Sequence, residues 1–151
     1  MKLIIKKFDE LTPRELYEIL KIRAEVFVVD QKCAYQDLDS LDYKCYHHYL
    51  EKDGEILAYT RIFDKGINFS EASFGRVLSN KNYRGEGFCK KLLEESIKFI
   101  ENNLKENIIK IKAQSHAVNF YKKLGFYEDG EEYMEEFVGI KFPHVNMVYK
   151  S

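Results

Sequence analysis

A glycine-rich loop that opens an amphipathic helix limits the possible fold of this chain more than any other stretch. In RGEGFCKKLLEESIKFI, residues 84–100, apolar side chains recur at helical spacing, at Phe88, Leu92, Leu93, Ile97 and Ile100. Gly85 and Gly87 therefore lie where the helix begins. At that end the backbone N–H groups have no helical partner and the helix dipole is positive. Because glycine lets a ligand approach the backbone closely, the stretch predicts a phosphate-binding loop.

Two common nucleotide-binding motifs do not account for this loop. A Walker loop requires G-x-x-x-x-G-K-[ST], and neither that spacing nor the final hydroxyl residue is present. A dinucleotide-binding fingerprint requires a third glycine, and Lys90 stands at that position. From these residues alone, a glycine turn that merely starts an ordinary helix remains an open alternative.

Composition narrows the class of protein. The chain has 151 residues, 32% of them charged, with a net charge of −1, which argues against a broad nucleic-acid-binding surface. No apolar run reaches membrane-spanning length. The three cysteines are scattered and odd in number, which favours a reducing compartment. We therefore expect a single domain over 1–151, cytoplasmic, monomeric or homodimeric, that binds neither nucleic acid nor membrane.

The order of predicted elements indicates a mixed α/β sheet, in the order β-α-β-β-β-α-β-α-β-β. The first helix has a clear start, with Thr12 as N-cap, Pro13 in the first turn and Glu15 completing a capping box, and it is expected to run on through Val26 and Phe27. Asp53-Gly54 predicts a hairpin between the second and third strands. The chain from Phe126 onward predicts two more strands. Strands precede the alternation with helices, so the sheet is not doubly wound throughout.

Two motifs resemble those of the GNAT family of N-acetyltransferases. The family's pyrophosphate loop is Q/R-x-x-G-x-G/A, and residues 82–87 read NYRGEG, with Asn82 in place of Gln or Arg. A second family pattern, Asn-x-x-Ala-x-x-φ-Tyr-x-x-x-Gly-Phe, resembles QSHAVNFYKKLGF at 114–126, where only the first amide differs. Four further stretches, FVVDQKCAYQDLDSLD, AYTRI, GRV and PHVNM, resemble the ElaA-type branch of that family.

The resemblance implies the acyl-CoA N-acyltransferase fold, whose central sheet is splayed. It also implies acetyl-CoA as co-substrate, an amine on a small molecule or peptide as acceptor, and no metal. The residues it would assign to acetyl-CoA are the strand before the glycine loop, the loop itself and two amides, namely Val77, Leu78, Ser79, Arg84, Gly85, Glu86, Gly87, Phe88, Cys89, Lys90, Gln114 and Asn119.

The same resemblance places Tyr121 as the general acid that protonates the leaving thiolate; its alternative is a packing aromatic beside Phe120. The acceptor ammonium must also lose a proton. The alternatives for that step are Glu71 or a water chain through His47, His48 or His144. Among them His144 comes first, because the PHVNM stretch returns near the acyl end in the branch it resembles, but a hydrogen-bonded structural histidine is the preferred interpretation of that residue.

The acidic loop at Asp37, Asp39 and Asp42 allows two interpretations. It is a solvated loop, or it lies beside the acceptor groove and attracts a cationic amine. Arg61 and Arg76, on neighbouring predicted strands, either pair with these aspartates or bind an acceptor carboxylate.

Metal binding is not predicted, because His47 and His48 point to opposite faces of a strand and no C-x-x-C pair is present. Cys89 lies at a helix start, which lowers the pKa of a thiol, yet a loop-lining residue is the preferred interpretation. A non-catalytic acyl-CoA-binding or sensing protein, and an interaction module built on 27–50, are the competing functions.

Overall fold

Two sheets of four strands each form the protein. A computed structural model describes all 151 residues. The first sheet is antiparallel and follows chain order, β1 (Lys2–Lys7), β2 (Tyr46–Lys52), β3 (Glu55–Phe63) and β4 (Ser73–Ser79). In the second sheet β5 pairs along one edge of the long β8, and the other edge of β8 carries β6 and β7. Their bounds are β5 (Ile108–Gln114), β6 (Tyr127–Glu128), β7 (Tyr133–Phe137) and β8 (Ile140–Lys150).

Three α-helices connect the strands. They are α1 (Pro13–Ala24), α2 (Phe88–Asn102) and α3 (Val118–Lys123). A π-helix continues α1, and short 3-10 turns precede or follow other elements, at Glu25–Asp30, Phe8–Glu10, Leu41–Lys44, Lys81–Tyr83 and Ser115–Ala117. None of the helices combines the length and the apolar character that crossing a membrane requires.

The predicted start of α1 is confirmed. The Thr12 hydroxyl accepts from the Glu15 N–H at 3.1 Å, and the Glu15 carboxylate accepts from the Thr12 N–H at 2.8 Å. Glu15 also pairs with Lys6 of β1 at 2.8 Å and accepts from the Tyr49 hydroxyl of β2 at 3.1 Å. Burial alone would raise the pKa of Glu15, but the hydrogen bonds from Lys6, Thr12 and Tyr49 outweigh it and lower the pKa to about 2. The cap therefore also docks α1 on the first sheet.

The two sheets meet at one isolated parallel bridge. Ala72 lies beside Ile109 there, and the Lys110 N–H donates to the Ala72 carbonyl at 2.9 Å. Beyond that bridge β4 and β5 diverge. An aromatic wedge of Phe74, Tyr121 and Phe126 packs beneath the opening. The ring centre of Phe74 lies 5.7 Å from that of Phe126 and 6.4 Å from that of Tyr121. This cluster also packs against the apolar face of α2, whose helical spacing the sequence predicts.

The structure departs from the expected element order in two places. The two-residue strand Tyr127–Glu128 adds a third strand after Phe126, and it is too short to show a period in sequence. The first helix was expected to be uniform through Phe27, but its α-helical part ends at Ala24 and the π-helix follows. A π-turn marks a local widening of the helix and occurs often at functional sites.

A buried arginine ties α1 to the loop that follows the π-helix. Arg23 is fully buried, its Nε donates to Oδ2 of Asp37 at 2.9 Å, and its Nη1 donates to Oδ1 of Asp42. Both aspartates are themselves buried. Removing one partner from such a cluster leaves a buried charge without full compensation, which is far more costly than losing an exposed pair.

The substitution Arg23→Met is therefore expected to lower the free energy of unfolding by about 3–5 kcal/mol. Lys21→Met on the same helix is the matched control, because Lys21 is 63% exposed and pairs only with Glu18, at 3.1 Å. Its loss is expected to cost less than about 1 kcal/mol. Urea denaturation followed by circular dichroism measures both values, and equal effects of the two substitutions would show that the buried cluster does not stabilise the fold.

Candidate active site

A cavity of about 840 Å³ occupies the opening between β4 and β5. Its walls come from β4, from residues on both faces of the second sheet together with α3, and from the π-helix with the loop after it. Eight of the residues predicted for the site line it, namely Asp39, Val77, Leu78, Ser79, Arg84, Gln114, Tyr121 and His144. The diverging strands thus bring residues of the donor and acceptor predictions to one cavity.

The β4 wall contains a bulge. Tyr59 pairs with Leu78 but Arg61 pairs with Gly75, so that Arg76 and the residue after it both stand opposite one residue of β3. Arg76 has a φ of +50°, which is unusual for a residue with a side chain. On its other edge β4 is unpaired beyond the bridge at Ala72, so its backbone N–H and C=O groups face the cavity with no strand partner.

The glycine loop lies at the start of α2, as predicted. Gly87 is the N-cap, with φ of +78°, and Gly85 has φ of +83°. The first helical hydrogen bond runs from the Lys91 N–H to the Gly87 carbonyl at 3.1 Å, so the N–H groups of 88–90 have no partner within the helix. A Cβ added at either glycine would meet no atom within 4 Å. The open space and the free N–H groups fit a pyrophosphate, with Arg84 at the cavity wall beside them.

Tyr121 faces the cavity from α3 and is nearly buried. Its hydroxyl has no hydrogen-bond partner in the protein, and burial, together with the nearby Cys89, raises the pKa of the phenol. The hydroxyl therefore stays protonated at neutral pH and has its proton free to donate. Burial likewise raises the pKa of the Cys89 thiol to about 12, which outweighs the lowering expected from the helix end. Cys89 is accordingly a neutral packing residue beside Tyr121.

Several predicted donor-site residues lie outside the cavity wall. Residues 85–90 form the exposed loop and the first turn of α2 at the end of the cavity. Asn119 is exposed on α3 and does not line the cavity, whereas Gln114 does. Of the two amides proposed from the family pattern, only Gln114 is therefore placed to reach a ligand between the strands.

The three aspartates of the acidic loop are paired with arginines inside the protein. Arg61 donates to both carboxylate oxygens of Asp39, at 2.8 and 3.0 Å, and to Asp42 at 3.2 Å. Arg76 Nε donates to Asp37 at 2.7 Å. With the contacts of Arg23 this makes a cluster of three arginines and three aspartates with no net charge. Asp37 and Asp42 thus present no free acidic surface to a cationic amine, and only Asp39 reaches the cavity.

The other histidines considered for proton transfer lie elsewhere. His47 accepts from the Tyr59 hydroxyl at 2.7 Å through Nδ1 and donates to the Asp42 carbonyl at 3.0 Å through Nε2. His48 donates to the Ser96 hydroxyl at 2.7 Å, and burial lowers its pKa to about 4. Neither histidine lines the cavity, and neither does Glu71.

One buried group has metal-binding residue types. Ligand atoms of Asp42, Cys45 and His47 lie within 4.8 Å of one another. The Asp42 carboxylate already binds Arg23 and Arg61, and burial raises the pKa of the Cys45 thiol to about 12. Two cations beside a protonated thiol make this set a poor fit for a metal ion.

Sequence reasoning missed the aromatic wall of the cavity. Phe137 on β7 packs between Tyr35 and Phe142, with ring centres 5.1 and 6.0 Å apart. The turn at Val138-Gly139, both at positive φ, brings the two phenylalanines of FVGIKF onto one hairpin. Glu135, two residues before Phe137, lines the same wall. The Val138-Gly139 dipeptide between two apolar stretches was the sequence signal for this hairpin. It was missed because valine rarely occupies a turn position with positive φ.

Known proteins resemble this chain in both sequence and fold. The family model of the acetyltransferase (GNAT) domain matches residues 10–151. A UPF0039 protein of Synechocystis sp. is 33% identical over 146 residues, 96% of this chain and 92% of the relative. Protein ElaA of Escherichia coli is 33% identical over 141 residues, 92% of this chain and 90% of ElaA.

Two solved structures align with 99% of this chain and over 99% of their own length. One is an acyl-CoA N-acyltransferase from Pseudomonas aeruginosa, with a TM-score of 0.87 and 34% identity. The other is E. coli ElaA, with a TM-score of 0.88 and 30% identity. The split sheet with its glycine loop is therefore the acyl-CoA N-acyltransferase fold. The chain belongs to the GNAT acetyltransferase family, in the ElaA-type branch, and the resemblance drawn from the two motifs is confirmed.

The pairing of Asp39 predicts how stability depends on pH. Burial alone would raise the pKa of Asp39, but the hydrogen bonds and charge of Arg61 lower it to about 2. Since an unfolded aspartate titrates near ~3.9, the stabilisation is present above about pH 4 and is lost as the pH falls towards about 2.

Asp39→Asn is therefore expected to destabilise the protein at about pH 7 and to lose most of that effect below about pH 3. Urea denaturation across this range measures the difference. Asp129→Asn, which removes an exposed carboxylate without an ion pair, is the control. A destabilisation by Asp39→Asn that stays constant down to the acid end of the range would contradict the assignment.

Proposed function

We propose that the protein is an acetyl-CoA-dependent N-acetyltransferase that transfers an acetyl group to a primary amine by direct attack of the neutral amine. One observation carries this proposal: the unpaired edge of β4 and the partner-free Tyr121 hydroxyl face the same cavity. A strand edge offers peptide-like hydrogen bonds to an extended ligand, and a free phenol offers a proton. A protein that only binds an acyl-CoA has no need of an acid at the sulfur.

The donor side of the cavity is suited to acetyl-CoA, which supplies the acetyl group activated as a thioester. The loop 84–90 offers its free N–H groups and Arg84 to the pyrophosphate. The backbone of Val77, Leu78 and Ser79 offers donors and acceptors to the amides of the pantetheine arm. Gln114 lies across the cavity on β5 and offers a side-chain amide there.

Tyr121 is assigned the acid step. As the C–S bond breaks, negative charge grows on sulfur, and a donor placed at that atom stabilises the transition state more than the ground state. Because burial raises the pKa of Tyr121, the phenol is still protonated at neutral pH when it is needed. Its packing against Phe74 and Phe126 holds the ring in one orientation.

The acceptor side is formed by the π-helix, the loop after it and the β7–β8 hairpin. A thiol-release assay with acetyl-CoA and a panel of polyamines, amino acids, aminoglycosides and peptides with free N-termini tests the function directly. Release of CoA that depends on one class of amine is the expected result. Binding of acetyl-CoA with no release across the panel would favour the sensing function instead.

The glycine loop gives the first prediction for the donor. Gly87→Val should abolish the rise in melting temperature that acetyl-CoA and CoA cause in the unchanged protein, because the new side chain occupies the approach of the phosphates. Gly66→Val is the matched control, since Gly66 has the same left-handed backbone, with φ of +83° against +78°, and equally open surroundings, but lies in the connection between β3 and β4 rather than at the start of α2.

Differential scanning fluorimetry at millimolar ligand measures these shifts. Both variants carry the strain of a β-branched residue at positive φ, so both should melt at a lower temperature without ligand. Only Gly66→Val should keep the shift. Loss of the shift in both variants, or no shift in the unchanged protein, would contradict the assignment of the loop.

The acid role predicts that Tyr121→Phe lowers kcat on the order of 10²-fold and leaves the affinity for acetyl-CoA nearly unchanged. The ring and its packing remain, and only the proton is lost. Tyr149→Phe is the control, because its ring packs on Phe126 in the same cluster but does not line the cavity.

Steady-state kinetics and calorimetric titration of acetyl-CoA separate the two quantities. An unchanged kcat would make Tyr121 a packing residue. A collapse of affinity with kcat retained would assign the hydroxyl to binding and would strengthen the sensing alternative.

A further inference from the structure

A histidine and a glutamate face the cavity from the second sheet. His144 on β8 and Glu135 on β7 both line it, and the two groups lie 3.6 Å apart, from Nε2 to Oε2. His144 is nearly buried, while the Glu135 side chain is 29% exposed. His144 is one of the alternatives that the sequence left for loss of the ammonium proton, and no step so far uses Glu135.

The hydrogen bonds of His144 define its reactive nitrogen. Nδ1 lies 2.8 Å from the carbonyl oxygen of Phe142, and because a carbonyl only accepts, we assign the proton to Nδ1. The ring also stacks on Tyr133, with centres 5.9 Å apart and planes at 22°. Nε2 is thereby left as the acceptor in the neutral ring, in a fixed orientation and beside a carboxylate.

The two faces of the second sheet separate this pair from Tyr121. Val145 packs with Tyr121 in the core cluster. Its neighbour His144 must point to the opposite face, because side chains alternate along a strand. Residues of both faces line the cavity, Ile111 on the face of Val145 and Lys112 on the face of His144. Tyr121 and His144 thus reach it from opposite sides.

We propose that His144 is the proton acceptor for the amine and that Glu135 is the positioning residue that stabilises the resulting imidazolium. This inference rests on the proposed function, since it names the base for that reaction. An ammonium has no lone pair, so its N–H bond must break before the nitrogen can attack. That proton moves to Nε2 of His144 and the adjacent Glu135 carboxylate favours the charged ring.

The proton balance of the reaction closes without any other reactant. The acceptor nitrogen loses two protons, the first to His144 and from there to solvent. The nitrogen lone pair forms the C–N bond, the C–S bond breaks, and Tyr121 gives its proton to sulfur. The second proton, lost once the C–N bond exists, returns through water to Tyr121. The net products are the amide, the free thiol and one proton.

The charged surroundings of His144 support Glu135 as its partner. On the neighbouring strand β5, Lys112 lies 3.4 Å from the other carboxylate oxygen of Glu135, and Tyr133 contributes only a phenol. Across the cavity the charged groups of Asp39, Arg61 and Arg76 are occupied with one another. Asp30 also lines the cavity, but it is exposed at the end of the π-helix. Of these groups, Glu135 is the carboxylate that pairs with the imidazole.

The first test needs no acceptor. Nitrogen-15 NMR of the histidine rings in the full chain, titrated over pH, should show the tautomer with Nδ1 protonated for the neutral ring of His144. A neutral ring protonated at Nε2 would overturn the proposal even if every variant binds acetyl-CoA. The role of Glu135 is measured with the amine of the second test: Glu135→Gln should lower kcat and retain the affinity for acetyl-CoA, because the imidazolium loses the carboxylate 3.6 Å from Nε2, and an unchanged kcat would overturn that role.

The second test uses the amine that the thiol-release panel selects. His144→Gln should lower kcat about 10²-fold or more at neutral pH and remove the acid limb of the pH profile, with acetyl-CoA affinity by calorimetry unchanged. The defect should shrink as the pH rises and solvent deprotonates the amine. His116→Gln, at another histidine that lines the cavity, should keep the acid limb.

The outcomes distinguish this inference from the proposed function. Failure of the unchanged protein to bind acetyl-CoA would reject the function itself. Full turnover by His144→Gln, with the acid limb retained, would leave the function intact and reject the base. Loss of turnover together with loss of acetyl-CoA binding would assign His144 to binding and would equally overturn its role as base.

Discussion

The cavity exists because the pairing of β4 with β5 stops after one bridge. If the ladder continued past Ala72 and Ile109, the inner edge of β4 would be satisfied by β5 and no ligand could reach it. The aromatic wedge of Phe74, Tyr121 and Phe126 packs where the strands part, so the separation is filled from below by side chains. The same interaction that opens the sheet therefore also places the Tyr121 hydroxyl in the opening.

A second constraint holds the opposite wall. Asp37 accepts from Arg76 on β4 at 2.7 Å and from Arg23 on α1 at 2.9 Å, so the donor edge and the first helix share one buried carboxylate. Arg76 sits at the bulge with positive φ, a conformation that costs about 1–3 kcal/mol and persists only where surrounding contacts hold it. The ion pairs supply those contacts, although the Nε of Arg61 is left without a hydrogen-bond partner inside the cluster. The loop after the π-helix and strand β4 are in this way held together by shared ion pairs.

Local patterns predicted what depends on local structure. The capping box at Thr12, the hairpin at Asp53-Gly54 and the glycine start of α2 all follow from residues within a few positions of one another. The motifs added the family and, with it, the splayed sheet. What the sequence could not decide depends on distant partners: Asp37 and Arg76 are 39 positions apart, and the sequence left open whether Arg76 pairs with an aspartate of the loop or binds an acceptor carboxylate.

The same reason explains why a free acidic surface remained one of the interpretations of the acidic loop, and why the first helix was expected to run uniformly past Ala24. Charge in a loop is usually solvated, and only the fold shows that three arginines converge on it. The widening into the π-helix also has no local signature, and it accompanies the turn of the chain towards the cavity at Val26 and Phe27. Residues that line the acceptor side, such as Tyr35 and Phe142, are joined only by tertiary structure.

The splayed sheet also separates the two residues proposed for proton transfer. Val145 and His144 alternate along β8, so His144 lies on one face of the second sheet and the core that contains Tyr121 on the other. Burial raises the pKa of Tyr121, so the phenol would keep its proton even beside a neutral imidazole, and the separation matters for access rather than for protonation. In the proposed reaction, the substrate in the cavity between the strands is the connection between the two groups, with the amine on the side of His144 and the sulfur on the side of Tyr121.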